Sequence, residues 1–277
     1  MELLHLSVIQ WAALVLCALL VGLTKAGFGA GLSMVATPLM TIALDDPRLM
    51  LPLMNVVLVC GDLFSVVHYP KKIAWRNIAI LVPGCLIGVG LGWVLLALLG
   101  NPSSFTVGGM DGNTILKRLV GGICILFVGI QLWRQWRESR SSEDLKPYRP
   151  KLWHGVSLGT AAGTTSTIAH AAGPLIALFL LPQKLDKAVF VGTSVTYFFI
   201  GNLVKFIPFT AQGLFTGAIV GTSLLLVPAV VVGTLLGVFL NRRISATAFV
   251  PVVYVFTTLM GLDLLFGLSA LLPGVRS

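Results

Sequence analysis

The chain has 277 residues, 56% of them hydrophobic and 10% charged, against roughly 25% charged in an average soluble domain. With 30 Gly and 14 Pro besides and a mean hydropathy of +0.95, too little polar material remains to wet a globular surface. A soluble enzyme, a nucleic-acid binder and a disordered chain are excluded. The net charge of +9 sits in loops between apolar runs, so it reads as membrane topology. Cys17, Cys60, Cys85 and Cys124 fall singly in apolar runs without CxxC spacing, which implies neither disulfides nor a metal site, and no cofactor is expected.

In chain order, Met1–Gln10 carries Glu2 but no Lys or Arg. It lacks a basic n-region, so the apolar run from Val8 is expected to belong to the mature protein. Residues 8–24 form that run, Lys25-Ala-Gly-Phe-Gly-Ala-Gly31 breaks it, and a short run over 32–44 ends at Asp45-Asp46-Pro47. Three segments long enough to span follow, at 49–69, 78–99 and 115–134. After the polar stretch 135–151, residues 153–168 lead into Ala169-His170-Ala171-Ala172-Gly173-Pro174 and a short run to Leu181-Pro182. The remaining spans are 187–208, 213–240 and 246–271.

Each half thus begins with a Gly/Pro-interrupted apolar segment, the arrangement that points to a transporter's binding site. Gly31 matches Gly173, Gly61-Asp62-Leu63 matches Gly201-Asn202-Leu203, and Pro83, Gly88 and Gly92 match Pro228, Gly233 and Gly237 in the same order and internal spacing. The expected fold is an all-α polytopic membrane protein of two homologous repeats, each a helical hairpin (a broken helix) plus three transmembrane helices. Residues 1–134 are the first repeat, 135–151 a basic cytoplasmic linker and 152–277 the second repeat.

Read as one broken helix, 8–44 would be about 55 Å long at 1.5 Å per residue, too long for a single crossing. A hairpin plus three crossings makes an odd number, which inverts the second half relative to the first. That reading puts thirteen Lys and Arg inside and five outside, against eleven and seven for a parallel repeat. The Lys/Arg bias favours inversion.

Irregular backbone at membrane depth is tolerated where it lines a wet cavity or is buried in protein. The two tips, with Gly27, Gly29 and Gly31 in the first and Gly173 in the second, are therefore expected to seat an anion against free amides and helix N-termini. Gly155, Gly159 and Gly163, and likewise Gly84, Gly88 and Gly92, read instead as close helix packing. Thr164, Thr165, Ser166 and Thr167 offer four hydroxyls beside His170; they either donate to an oxyanion or bond back to their own helix. Charged groups within spans are functional candidates by default. Lys25 and Lys205 are the candidates for charge compensation, with snorkelling the alternative for Lys205. Asp62 and His170 are the candidates for proton coupling, His170 also serving equally well as a ligand donor or a packing residue. Thr193, Ser194, Tyr197, Asn202 and Asn55 add polar contacts on flanking helices. No Walker A or HExxH sequence occurs, so the expectation is a protein that is not an enzyme.

At these residues the sequence resembles the TauE/SafE sulfite exporter family. The resemblance rests on Gly27-Phe-Gly-Ala-Gly31 followed by Pro38-Leu39, on Gly155, Gly159 and Gly163, on Ala172-Gly173-Pro174, and on Val191-Gly192-Thr193-Ser194. Phe199, Asn202 and Lys205, then Arg242-Arg243-Ile244-Ser245, extend it over nearly the whole chain. The first tip departs from the run of glycines common in the family. The resemblance implies a permease of the inner (bacterial-type) cell membrane that exports sulfite, a sulfonate or a related sulfur oxyanion or carboxylate. Alternating access is the expected mechanism and an anion channel the alternative. The expected partners are the small anion, the lipid bilayer and a coupled proton, with no nucleic acid; the oligomeric state is not legible.

Overall fold

The computed structural model describes residues 3–27, 36–68, 72–99, 110, 112–140, 150–241 and 246–267. Among them every regular element is a helix: α1 (Val8–Gly27), α2 (Ala36–Leu44), α3 (Pro47–His68), α4 (Trp75–Leu99), α5 (Gly112–Arg140), α6 (Leu152–Ala169), α7 (Gly173–Leu180), α8 (Lys187–Val204), α9 (Phe206–Ala211), α10 (Gly217–Asn241) and α11 (Ala246–Phe266). Among the described residues six helical stretches are long and apolar enough to cross a bilayer: Val8–Lys25, Pro47–Val67, Trp75–Leu99, Gly112–Arg137, Ala188–Ala211 and Gly217–Gly237. Their outward faces carry large apolar side chains such as Leu91, Val94, Leu224, Leu235 and Phe239, as lipid requires. This is a multi-pass membrane protein.

The two interrupted segments fold back on themselves. The Cys17 thiol lies 3.6 Å from the Ala36 carbonyl, and the Gln10 amide donates to the Ala43 carbonyl at 2.9 Å. Helix α2 therefore descends along the first half of α1. In the second half, Gly155 near the start of α6 lies against the Phe179 ring near the end of α7, so α7 returns along α6 in the same way. At 1.5 Å per residue α2 and α7 reach only about 12–14 Å, less than half a bilayer. Helix α1 is longer than a hairpin arm needs to be, about 30 Å, enough for a full crossing.

Glycine decides how closely the helices approach. A Cβ on Gly88 of α4 would strike the Thr160 carbonyl of α6, and one on Gly233 of α10 would strike the Leu19 carbonyl of α1. Without a water-driven hydrophobic effect between helices in lipid, such backbone-to-backbone contact is what holds them together. The pairing is crosswise: the first helix of each half packs against the other half's helix that carries the matched internal proline, Pro228 or Pro83, α1 on α10 and α6 on α4. Helices α3 and α8 meet at the centre, and α5 meets α11.

The apolar segment 187–208 ends earlier as a helix than its hydropathy suggests. Pro208 has no N–H to offer the Val204 carbonyl and its ring crowds that carbonyl, so α8 stops at Val204. Lys205 forms the turn, and α9 restarts at Phe206. Helix α6 ends on His170, whose φ of 49° is left-handed, a conformation for which glycine is the usual choice at a helix C-terminus. The His170 N–H bonds the Ser166 carbonyl at 3.0 Å, and Pro174 then opens α7. Two chain breaks, at 170–172 and at 205, thus face the same interior region.

Candidate functional site

The centre of the bundle holds two linked polar clusters. In the first, the Lys25 ammonium at the end of α1 pairs with Asp62 of α3 at 2.5 Å, and lies 4.7 Å from the centroid of the Phe198 ring of α8. The Asn202 amide donates to the other Asp62 oxygen at 2.6 Å. Both carboxylate oxygens are therefore engaged, as a buried charge demands. The Asn55 amide donates to the Asn202 carbonyl at 3.1 Å, while its own Oδ1 is buried without a partner.

In the second cluster, the Lys205 ammonium donates to the Ser166 hydroxyl at 3.1 Å, to the Ser166 carbonyl at 3.3 Å and to Nδ1 of His170 at 2.8 Å. Nε2 of His170 lies 3.0 Å from the Leu51 carbonyl. A carbonyl only accepts, so Nε2 carries the imidazole proton and Nδ1 accepts from lysine. Among the described residues no carboxylate lies within ion-pair distance of Lys205. Its side chain is 0% exposed, so it does not snorkel to an interface.

Between the clusters is a small pocket of about 10 Å³, walled by Lys25, Leu58, Ser166, His170, Gly173, Phe198 and Asn202, about the room one water needs. It combines ammonium, hydroxyl and amide groups with apolar walls, a chemistry suited to a small anion with several oxygens.

Of the residues expected from sequence, Lys25, Ser166, His170, Gly173 and Asn202 line this space, while Asp62 stands behind Lys25 and Asn202, and Lys205 behind Ser166 and His170. The other hydroxyls of the run are turned to backbone: Thr164 donates to the Thr160 and Gly88 carbonyls, Thr165 to Ala161 and Thr167 to Gly163. Thr193 accepts from the Ala74 N–H, Ser194 donates to Phe190 and Tyr197 to Gly159 at 3.5 Å, all away from the pocket. Gly27 closes α1, while Gly29 and Gly31 lie outside the described residues. Leu58, Phe198 and the Leu51 carbonyl were not singled out by sequence. Leu51, Asn55, Leu58 and Asp62 recur at helical spacing, and that stripe was the available signal.

Apolar spans wrapped around buried, ion-paired polar groups define a polytopic membrane protein with a polar centre. The family model described as sulfite exporter TauE/SafE matches residues 14–264. The chain belongs to that family of membrane exporters of sulfite and related anions. Comparison with curated proteins and with solved structures gives no match.

Proposed function

We propose that the protein is a secondary transporter that exports a small anion, such as sulfite, an organosulfonate or a related sulfur oxyanion or carboxylate, across the inner membrane by alternating access. The observation that carries this reading is Lys205: a lysine 0% exposed within a span, held by neutral acceptors with no carboxylate in ion-pair distance among the described residues, next to the small central pocket. Burying an uncompensated cation in a membrane is costly, and a bound anion offsets that cost. Ser166, Asn202 and Lys25 supply the remaining donors. Residues 1–134 and 152–277 act as the two moving repeats, joined by the cytoplasmic linker 135–151.

Inverted repeats fit this mechanism, and helix directions support them. Leu19 and Leu23 of α1 meet Gly233 and Gly237 of α10 in that order, so these helices run the same way. From Phe198 to Lys205, α8 passes from Lys25 and Asp62 to His170. Along α3 the same path runs backwards, from Asp62 to Leu51. Helices α3 and α8, the counterparts in the two halves, therefore oppose one another. A reporter at 241–245 should be cytoplasmic and one at 209–212 external; both giving the opposite result would contradict this topology.

Counterflow tests the transport reading. Proteoliposomes loaded with unlabelled sulfite should accumulate labelled sulfite transiently above equilibrium. Flux without accumulation would identify a channel instead. The proton, if coupled, is carried by His170 or Asp62.

A further inference from the structure

We infer that the central pocket is matched to anions of a single negative charge and discriminates against dianions of the same shape. The inference rests on the anion-transport reading and adds the valence of its substrate.

The charge around the pocket can be counted group by group. Helix α1 contributes Lys25 and α3 contributes Asp62, which pair and cancel. The α6–α7 break contributes His170 and the α8–α9 break contributes Lys205. These last two share a hydrogen bond between one nitrogen each. The other imidazole nitrogen is committed as a donor to the Leu51 carbonyl. Whichever nitrogen holds the shared proton, ammonium with neutral imidazole or amine with imidazolium, the pair carries one positive charge. Three acceptors around Lys205 Nζ match the three hydrogens of an ammonium. Helices α2, α7 and α10 contain no Asp, Glu, Lys or Arg at all. With the Lys205–His170 pair holding its shared proton, the groups in and behind the pocket wall sum to one positive charge, and a monoanion neutralises it.

A dianion would leave one negative charge unbalanced inside the membrane. The walls have little capacity to absorb it, since Leu58 and Phe198 are apolar and the amide and hydroxyl donors are few. The neutral complex is favoured for a physical reason that holds whatever the anion's identity: uncompensated charge in a low-dielectric interior is expensive.

The test is displacement of labelled sulfite from the purified full-length protein at neutral pH by methanesulfonate and by sulfate. The two are tetrahedral at sulfur and similar in size, and they differ in charge. Methanesulfonate should displace with about tenfold or more greater potency. Asp62→Asn raises the pocket charge by one and should shift the preference toward sulfate by a similar factor. Lys25→Gln combined with Asp62→Asn restores the net charge and should restore the wild-type order, which keeps the test valid if the single variant does not fold. Equal potency of the two anions on the wild type, or stronger displacement by sulfate, overturns the inference. Absence of sulfite binding overturns the transport reading itself, and is a different result.

Discussion

Asn202 donates a hydrogen bond of 2.6 Å to Asp62, and the two residues occupy matching positions in the sequence of the two halves, Gly61-Asp62-Leu63 and Gly201-Asn202-Leu203. The duplicated segments thus meet at their own equivalent residues, but with different chemistry. The first copy brings the acid and the second its neutral amide. This asymmetry keeps one carboxylate at the centre where two would repel, and allows Lys25 to be satisfied while Lys205 has no acid of its own.

The Lys25–Asp62 pair should behave as a unit. Lys25 is 5% and Asp62 0% exposed, so removing one partner strands a buried charge. Lys25→Met or Asp62→Leu alone should destabilise the protein by about 3–5 kcal/mol. The double variant should recover most of that loss. Thermal unfolding of the purified proteins reads this directly, and additive losses would show that the pair is not coupled.

The glycine seam between α4 and α6 should be intolerant of side chains. Gly88→Val places carbon atoms against the Thr160 carbonyl and the Thr164 amide, and the helices must separate. The expected cost is about 1–3 kcal/mol, seen as a lower unfolding temperature. Gly90→Val is the control on the same helix, because a Cβ there meets nothing within 4 Å.

How much of this was legible beforehand differs by element. The glycine spacing of Gly84, Gly88 and Gly92 with Gly155, Gly159 and Gly163 announced close packing because only a missing side chain permits it, and those glycines do form one seam. Partner choice was not legible. That α4 packs on α6 and α1 on α10 depends on the three-dimensional course of intervening helices. The hydroxyl run illustrates a second limit. Consecutive residues on a helix point about 100° apart, so four hydroxyls in a row cannot all face one ligand, and Ser166 alone turns to Lys205. Lys25 attracted attention as a free cation, yet its neutralisation by Asp62 required two residues 37 positions apart to meet.

The pH dependence of binding has a definite sign. Loss of the one proton shared by the His170–Lys205 pair removes the positive charge beside the pocket. Anion affinity should therefore rise as pH falls in the wild type. His170→Gln removes the ring that shares this proton and should shift the pH at which affinity falls, as measured by equilibrium binding of labelled methanesulfonate. That probe keeps its charge across the range. An unchanged pH profile in His170→Gln would assign the response to another group, with Asp62 the next to test.

The central claim is that Lys205 supplies the charge that binds the anion, and equilibrium binding of labelled sulfite to Lys205→Gln tests it most directly. With the hydrogen bonds to Ser166 and His170 partly kept and the charge gone, affinity should fall by about a hundredfold, in line with loss of a nearby charge in a low-dielectric interior. Lys205→Arg should retain part of the affinity, because the charge survives in a different shape. Wild-type affinity in a folded Lys205→Gln protein would contradict the account.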